Sequence, residues 1–393
     1  MIEEYYGELF LMPIPLEFSG NRCSYQCSYC FASGNRFKGG GDYASVLRQI
    51  ERVFNKGSNP WVTYFLRNKY PVCLSNRTDP FSLGNTRTTI QLIRLLSSRG
   101  VPVFVQTKGG DGAFEVADSM SPSVWYVSMS FFDNRKRCKI EPNTPSIESR
   151  KELIAHLIHK GHKVLIGMNP MVPDWIPESD ARALVDWAAS VGVSGIISAR
   201  LHLSAEQQKR MTVASRSALS GVLPWAGKRT VPSDVVNHDR YIRSLCQDEG
   251  VEYFSIGQPW PTKIYEPFRE LYPKTLSVVH DFINWAWNNK EDGEEVHFEE
   301  FEKVMMERLP GGLFELRSHL CKVCRVLGAK GTPDYWSFRD MLKILWQEWK
   351  HPWCLVRNQN FAFDSLDEES YRIREDGYAV LRFSRAGFEG PCS

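Results

Sequence analysis

The sequence predicts an α/β fold: a full or partial (β/α) barrel of parallel strands over residues 1–262, then a mostly helical C-terminal domain or cap over residues 263–393. Three observations predict it. Up to residue 262, β-rich runs alternate with helix-period stretches, which implies parallel β/α units joined by right-handed crossovers. The residues that carry chemistry fall where strands run out into loops, the working face of such barrels. Beyond residue 262 the alternation fades and helical patterns dominate.

The elements follow in order. The apolar run 9–18 ends at Ser19-Gly20 and reads as the first strand. Residues 42–54 are helical, because Val46, Ile50, Val53 and Phe54 recur on one face. Residues 70–75 form the second strand, and 88–99 a helix closed by Gly100. Residues 101–107 form a strand that ends at Lys108-Gly109-Gly110, and 124–130 another. Thr144 is placed to cap the next helix, with Pro145 at its first position and Gly161 at its end. Strand 163–169 runs into Pro170. Residues 179–191 are a helix with Leu184, Trp187, Ala188 and Val191 on one face, stopped by Gly192. Strand 194–199, helix 233–249 and strand 251–256 complete the series. In the remainder, 276–287, 298–308 and 335–349 read as helical and 355–363 and 378–383 as extended, while the acidic run 291–302 reads as solvated surface.

Composition narrows the class. The chain of 393 residues is 42% hydrophobic and 24% charged, enough for a packed core and unlike a disordered chain. A net charge of +2 neither demands nor excludes a nucleic-acid partner. Glu3 and Glu4 stand where a signal peptide would be basic, and no stretch approaches the ~18 apolar residues of a membrane span. The expectation is a soluble, cytoplasmic protein with no membrane partner.

Ten cysteines in such a chain need a reason, and in a reducing compartment clustered ones favour metal binding or catalysis. Cys23, Cys27 and Cys30 form CxxxCxxC directly after the first strand, and Cys321 and Cys324 form CxxC; Cys73, Cys138, Cys246, Cys354 and Cys392 stand alone. A short loop can fold three thiolates onto three irons of one cubane cluster. The fourth iron is then left for the amine and carboxylate of a small molecule. Zinc would want a fourth protein ligand nearby, and no histidine precedes His156. Buried, unliganded cysteines are the remaining reading.

The triplet, with Tyr29 before its last cysteine and Phe31-Ala32 after it, resembles the radical S-adenosylmethionine (SAM) superfamily. The resemblance covers residues 8–262. It implies a 4Fe–4S cluster on Cys23, Cys27 and Cys30, with Tyr29 and Phe31 beside it. It also implies SAM as cofactor and a reductant such as flavodoxin or ferredoxin. The reduced cluster of that superfamily cleaves SAM to methionine and a 5′-deoxyadenosyl radical, which takes hydrogen from a substrate; radical initiation asks for no general acid or base. Ser75-Asn76-Arg77-Thr78-Asp79-Pro80-Phe81 replaces the Gly-Gly-Glu of many members and resembles the spore photoproduct lyase-like, DNA repair photolyase branch. That likeness assigns Ser75, Asn76, Thr78 and Asp79 to the SAM amino group, and Lys108 and Arg150 to its binding, with the Lys108 ammonium on the carboxylate. Ser128 and Ser130 share one face of the fourth strand and suit the ribose or carboxylate, and Asn169 the adenine. The plainer readings are a turn at Asp79-Pro80, a solvated Lys108, and a local Glu141–Arg150 salt bridge.

The branch implies a nucleic acid (DNA or RNA) or nucleotide as substrate, for repair or modification. A peptide or small metabolite is the alternative within the superfamily, and a non-enzymatic Fe–S or zinc protein the alternative outside it. Cys73 lies close to where photoproduct lyases keep a hydrogen-donating cysteine, although the motif aligns Asn76 nearer that place. Cys73 is therefore both a candidate donor and an ordinary buried small residue. Cys321 and Cys324 are candidates for a second metal site, zinc or Fe–S, or else stand at i and i+3 of a helix. Trp346, Trp349 and Trp353, near Lys343, Lys350, His351 and Arg357, suit base stacking or a packed helix face. The basic run 135–139 is expected in a loop that attracts phosphate.

Overall fold

Seven parallel strands build one sheet in the computed structural model, which describes residues 14–16, 23–30, 43–56, 66–67, 69, 71–74, 78–201, 203, 205–226, 232–255, 278–308, 338–347 and 372–384. The strands are β1 (Ile14–Leu16), β2 (Val72–Leu74), β3 (Val103–Thr107), β4 (Val124–Ser128), β5 (Lys163–Met171), β6 (Gly195–Arg200) and β7 (Tyr253–Ser255). Strand order follows chain order and every neighbouring pair is parallel, as β/α crossovers of one hand require. Among the described residues no ladder joins β7 to β1.

The crossovers carry α1 (Tyr43–Lys56), α2 (Thr86–Ser98), α3 (Asp111–Ser119), α4 (Asn134–Ile140), α5 (Ile147–His159), α6 (Glu178–Val191), α7 (Ala205–Arg210), α8 (Val213–Ala218) and α9 (Ser233–Asp248). Alternation along the strands sorts the two faces of the sheet. Val72, Leu74, Val103, Val105, Trp125, Val127, Val164, Ile166 and Ile196 belong to the large core that also takes in Leu92, Leu153, Leu184 and Ile242 from the helices. Cys73, Phe104, Val124, Leu165, Ile197 and Phe254 form a smaller cluster from the opposite parity, with Tyr126 against it. This second, inner face bears on function because its upper end continues into the loops.

Three sequence expectations change here. Thr144 does not cap α5: the cap is Ser146, whose hydroxyl accepts from Ser149 N at 3.1 Å, and Thr144 turns to Glu141 instead. The basic run 135–139 is not loop but most of α4, capped by Asp133, with Arg137 turned inward and 6% exposed. The acidic run 291–302 is not merely solvated, since Val296, Phe298 and Phe301 within it are fully buried.

Those residues belong to a set of C-terminal elements: α10 (Val278–Asn289), β8 (Glu295–Val296), α11 (Phe298–Arg308), α12 (Phe338–Gln347) and β9 (Leu381–Arg382). Strands β8 and β9 pair antiparallel, and Ile373 bridges Ala379 to make a hairpin that leads into β9. Phe282, Phe298, Phe301 and Trp346 form its aromatic core, with the indole N–H of Trp346 donating to Ala379 O at 2.7 Å. The boundary expected near residue 262, the extended stretch 355–363, and Cys321 and Cys324 lie outside the described residues. No helix among the described residues is long and apolar enough to cross a membrane.

Candidate active site

The cysteine loop is pinned at the C-terminal end of the sheet by residues from three crossovers. Gln26 takes a left-handed backbone (φ +51°), and Cys30 N donates to Cys27 O at 3.1 Å, which curls the loop tightly. Tyr25 is 6% exposed, and its hydroxyl donates to the carbonyls of Phe81, after β2, and Gly109, after β3. Ser24 accepts at its hydroxyl from Leu83 N and at its carbonyl from the Asn143 amide, each at 3.1 Å. Ser28 N donates to Ile140 O, at the end of α4, at 2.8 Å. The glycine pair after Lys108 makes this approach possible. Gly110 sits at φ +141°, and a Cβ there would lie 2.8 Å from Phe81 O and 3.2 Å from the Tyr25 hydroxyl.

Asp79 braces the two loops under the cysteines. Its carboxylate accepts from Phe81 N at 2.9 Å, Thr107 Oγ1 at 2.8 Å and Lys108 N at 2.6 Å. Burial pushes its pKa up to about 6, against the pull of those three donors. The Asp79 carbonyl in turn accepts from the Ser82 hydroxyl and the Asn85 amide. Asp79-Pro80 is thus a turn, as the plainer reading has it, and also the joint between the ends of β2 and β3.

Behind the loop lies a buried charged cluster. Glu141 is fully buried and faces two cations: Arg150 Nη2 at 2.6 Å from Oε2, and Lys108 Nζ at 3.2 Å from Oε1. Tyr29 donates its hydroxyl to the same Oε1, and Lys108 Nζ lies 5.5 Å over the Tyr29 ring. Burial pushes the Glu141 carboxyl up, but Lys108 and Arg150 outweigh it and hold the group at about 2. Arg150 is fully buried and spent on protein partners, giving Nη1 to Ser128 O at 2.8 Å and Nη2 also to Thr144 Oγ1 at 2.6 Å. Lys108 donates to Ser128 Oγ at 2.8 Å. Arg137 closes the bend after α4 through the carbonyls of Glu141 and Thr144.

These contacts bring together most of the residues singled out from sequence: Tyr29, Asp79, Lys108, Ser128 and Arg150, with Cys23, Cys27 and Cys30. Thr78 is buried beside Asp79. Ser130 is fully buried just past β4, and its hydroxyl has no hydrogen-bond partner among the described residues. Asn169, on β5, is exposed. Cys73 is 5% exposed within the apolar inner-face cluster. Phe31, Ser75 and Asn76 lie outside the described residues. Sequence reasoning missed Tyr25, the loop's main anchor, and Tyr126, whose ring lies across Gly167 so closely that a Cβ there would stand 1.9 Å from Tyr126 Cζ. Tyr25 carried a signal: an aromatic inside the cysteine motif that its spacing does not require.

The donor chemistry fits a cluster. Each of the three cysteines carries a reduced thiol, all on one eight-residue loop. Among the described residues no three His, Cys, Asp or Glu side chains gather closely enough to hold a single metal ion. A cubane takes its thiolates one to an iron. The unpartnered Ser130 hydroxyl at the strand end suits a polar cofactor beside it.

No family model matches the sequence, and no curated protein matches it. Among solved structures the chain is similar to SuiB of Streptococcus suis bound to its precursor peptide SuiA, at 14% identity and a TM-score of 0.42, over 66% of this chain and 54% of that one. It is similar to spore photoproduct lyase with bound AdoMet and dinucleoside spore photoproduct, at 12% identity and a TM-score of 0.42, over 62% of this chain and 75% of that one. TYW1 with a lysine-pyruvate adduct bound follows at 15% identity and a TM-score of 0.35, over 56% and 77%. The chain thus spans about half the length of the SuiB structures it matches. All three are radical SAM proteins, the superfamily that the cysteine motif resembles. At these TM-scores the likeness says nothing of substrate or chemistry, which must come from the chain's own residues.

Proposed function

We propose that this chain is a radical SAM enzyme whose Cys23, Cys27 and Cys30 hold a 4Fe–4S cluster. The observation that carries the reading is the docking of the CxxxCxxC loop, through Tyr25, onto the loops after β2 and β3 at the C-terminal end of a parallel sheet. Such a cluster, reduced by a flavodoxin- or ferredoxin-type donor, supplies the electron that cleaves SAM and yields a 5′-deoxyadenosyl radical.

The chain's own residues bind, orient and exclude water. Asp79 fixes the ends of β2 and β3, so that Thr78 offers its hydroxyl to the SAM amino group, a role that the resemblance also gives to Ser75 and Asn76. Lys108, held by Glu141 and Ser128, offers its ammonium to the SAM carboxylate. Ser128, Ser130 and Asn169 line the polar edge for ribose and adenine. Tyr29 walls the loop, and the resemblance gives Phe31 the same role. Arg150 acts at one remove, by holding Glu141 and the Ser128 carbonyl. Below them the apolar inner face keeps water from a reactive centre. Cys73, on that face, is the candidate hydrogen donor to a substrate radical.

The substrate reading is a nucleic acid or nucleotide. Arg135 and Lys139 are exposed on α4, whose last residue holds the cysteine loop through Ser28, so phosphate attracted there lies beside the site. Cys321 and Cys324 are a candidate second metal pair, zinc or Fe–S, tested by the metal content of a Cys321→Ser variant.

The test of the central reading is anaerobic. Protein reconstituted with iron and sulfide, then given dithionite and SAM, is expected to form 5′-deoxyadenosine, and Cys27→Ala to form none. Zinc in place of iron in protein purified anaerobically would sink the reading.

A further inference from the structure

We infer that Lys108 is a fixed charge that raises the reduction potential of a cluster held by Cys23, Cys27 and Cys30, and that Glu141 and Ser128 position it for this. The inference rests on the reading above and adds a role to Lys108 beyond contact with SAM.

The geometry is that of a held ammonium. Nζ has Ser128 Oγ at 2.8 Å and Glu141 Oε1 at 3.2 Å, and lies over the ring of Tyr29, the residue next to Cys30. Its side chain is 14% exposed. Glu141 is the single carboxylate between two cations, and the second, Arg150, is turned away to Thr144, Pro145 O and Ser128 O. The carboxylate therefore balances one of the two cations. The Lys108 ammonium stands on the side that meets the cysteine loop, 5.5 Å over the ring of Tyr29, the neighbour of Cys30. Asp79, the other acid near Lys108, accepts three hydrogen bonds from neutral donors and keeps its charge; it is the same in wild type and in the Lys108 variants, so comparing them reads the ammonium alone.

Reduction adds one electron, from an external one-electron donor, to a cluster already made anionic by three thiolates; no bond forms or breaks. A nearby cation stabilises the more negative, reduced form over the oxidised one, and net charge is among the factors that set such potentials. In a buried site this interaction is weakly screened by salt.

The experiment is a mediated anaerobic redox titration of the reconstituted full chain without SAM, followed by EPR. Wild type, Lys108→Gln and Lys108→Arg are compared at the wild-type midpoint. The expected result for Lys108→Gln is at least a threefold fall in the ratio of reduced to oxidised cluster, about 28 mV for a one-electron couple in which tenfold is 59 mV. Lys108→Arg is expected to restore the ratio, which a merely steric role for the side chain would not do. If the glutamine variant takes up no iron, Lys108→Met is read in its place. An unchanged ratio in the neutral variants, or an arginine variant displaced as far as the glutamine one, overturns the inference and leaves the proposed function standing. Failure of wild type itself to take up a cluster overturns both.

Discussion

Glu141 gives one oxygen to Arg150 and the other to Lys108 and Tyr29, so its removal strands two buried cations. Breaking a buried pair by deleting one partner typically costs about 3–5 kcal/mol. Glu141→Gln apoprotein is expected to lose stability of that order in urea unfolding at neutral pH. The pH dependence has a definite sign. The folded carboxyl titrates at about 2, below its ordinary 4.5. Its contribution is therefore full above about 4.5 and lost as pH falls toward 2. Glu141→Gln is expected to lack that portion of the acid loss, and an identical acid profile in the two proteins would contradict the account. The Glu141–Arg150 pair was legible in the sequence as a local salt bridge. The third member was not, because Lys108 arrives from a strand end 33 residues earlier, and a lysine before two glycines reads as solvent-exposed.

The cysteine loop is held as an element, and its docking can be weakened without touching a thiol. Tyr25→Phe removes the single hydroxyl proton shared between Phe81 O and Gly109 O, worth about 1 kcal/mol, and is expected to lower iron uptake on reconstitution while leaving the sheet folded by circular dichroism. Gly110→Ala, strained and crowded against the same groups, is expected to act in the same direction. In the C-terminal set, Trp346→Ala is expected to cost about 3–5 kcal/mol in unfolding experiments, since it empties a fully buried indole site. The alternation of strands and helices was legible because each face of a strand is uniform in character. Helix α3 was not, because Gly110 and Gly112 read as loop. Its buried face is Gly112, Ala113, Val116 and Ala117, small residues that let it press against α2 so closely that a Cβ on Gly112 would stand 2.3 Å from Thr86 Cγ2. The fate of Thr144 was hidden for a related reason: a threonine before proline fits a cap by local rules, and its pull toward Glu141 and Arg150 depends on contacts that spacing does not reveal.

At the scale of the molecule, a parallel sheet sets one apolar face under helices and leaves the other to run up into a polar rim at the strand ends. That architecture explains why the CxxxCxxC loop, Asp79, Lys108, Ser128 and Arg150, distant in sequence, meet in one place. A nearly neutral chain with exposed Arg135 and Lys139 beside this rim is expected to bind single- or double-stranded oligonucleotides in a salt-sensitive way, weakened by Arg135→Glu with Lys139→Glu; binding indifferent to both salt and charge reversal would remove the nucleic-acid reading. The central claim is tested most directly by 5′-deoxyadenosine formation from SAM in the anaerobically reconstituted, dithionite-reduced chain. The account predicts product in wild type and none in Cys27→Ala. Product of equal amount in both proteins, or a wild type that binds zinc and no iron, would contradict it.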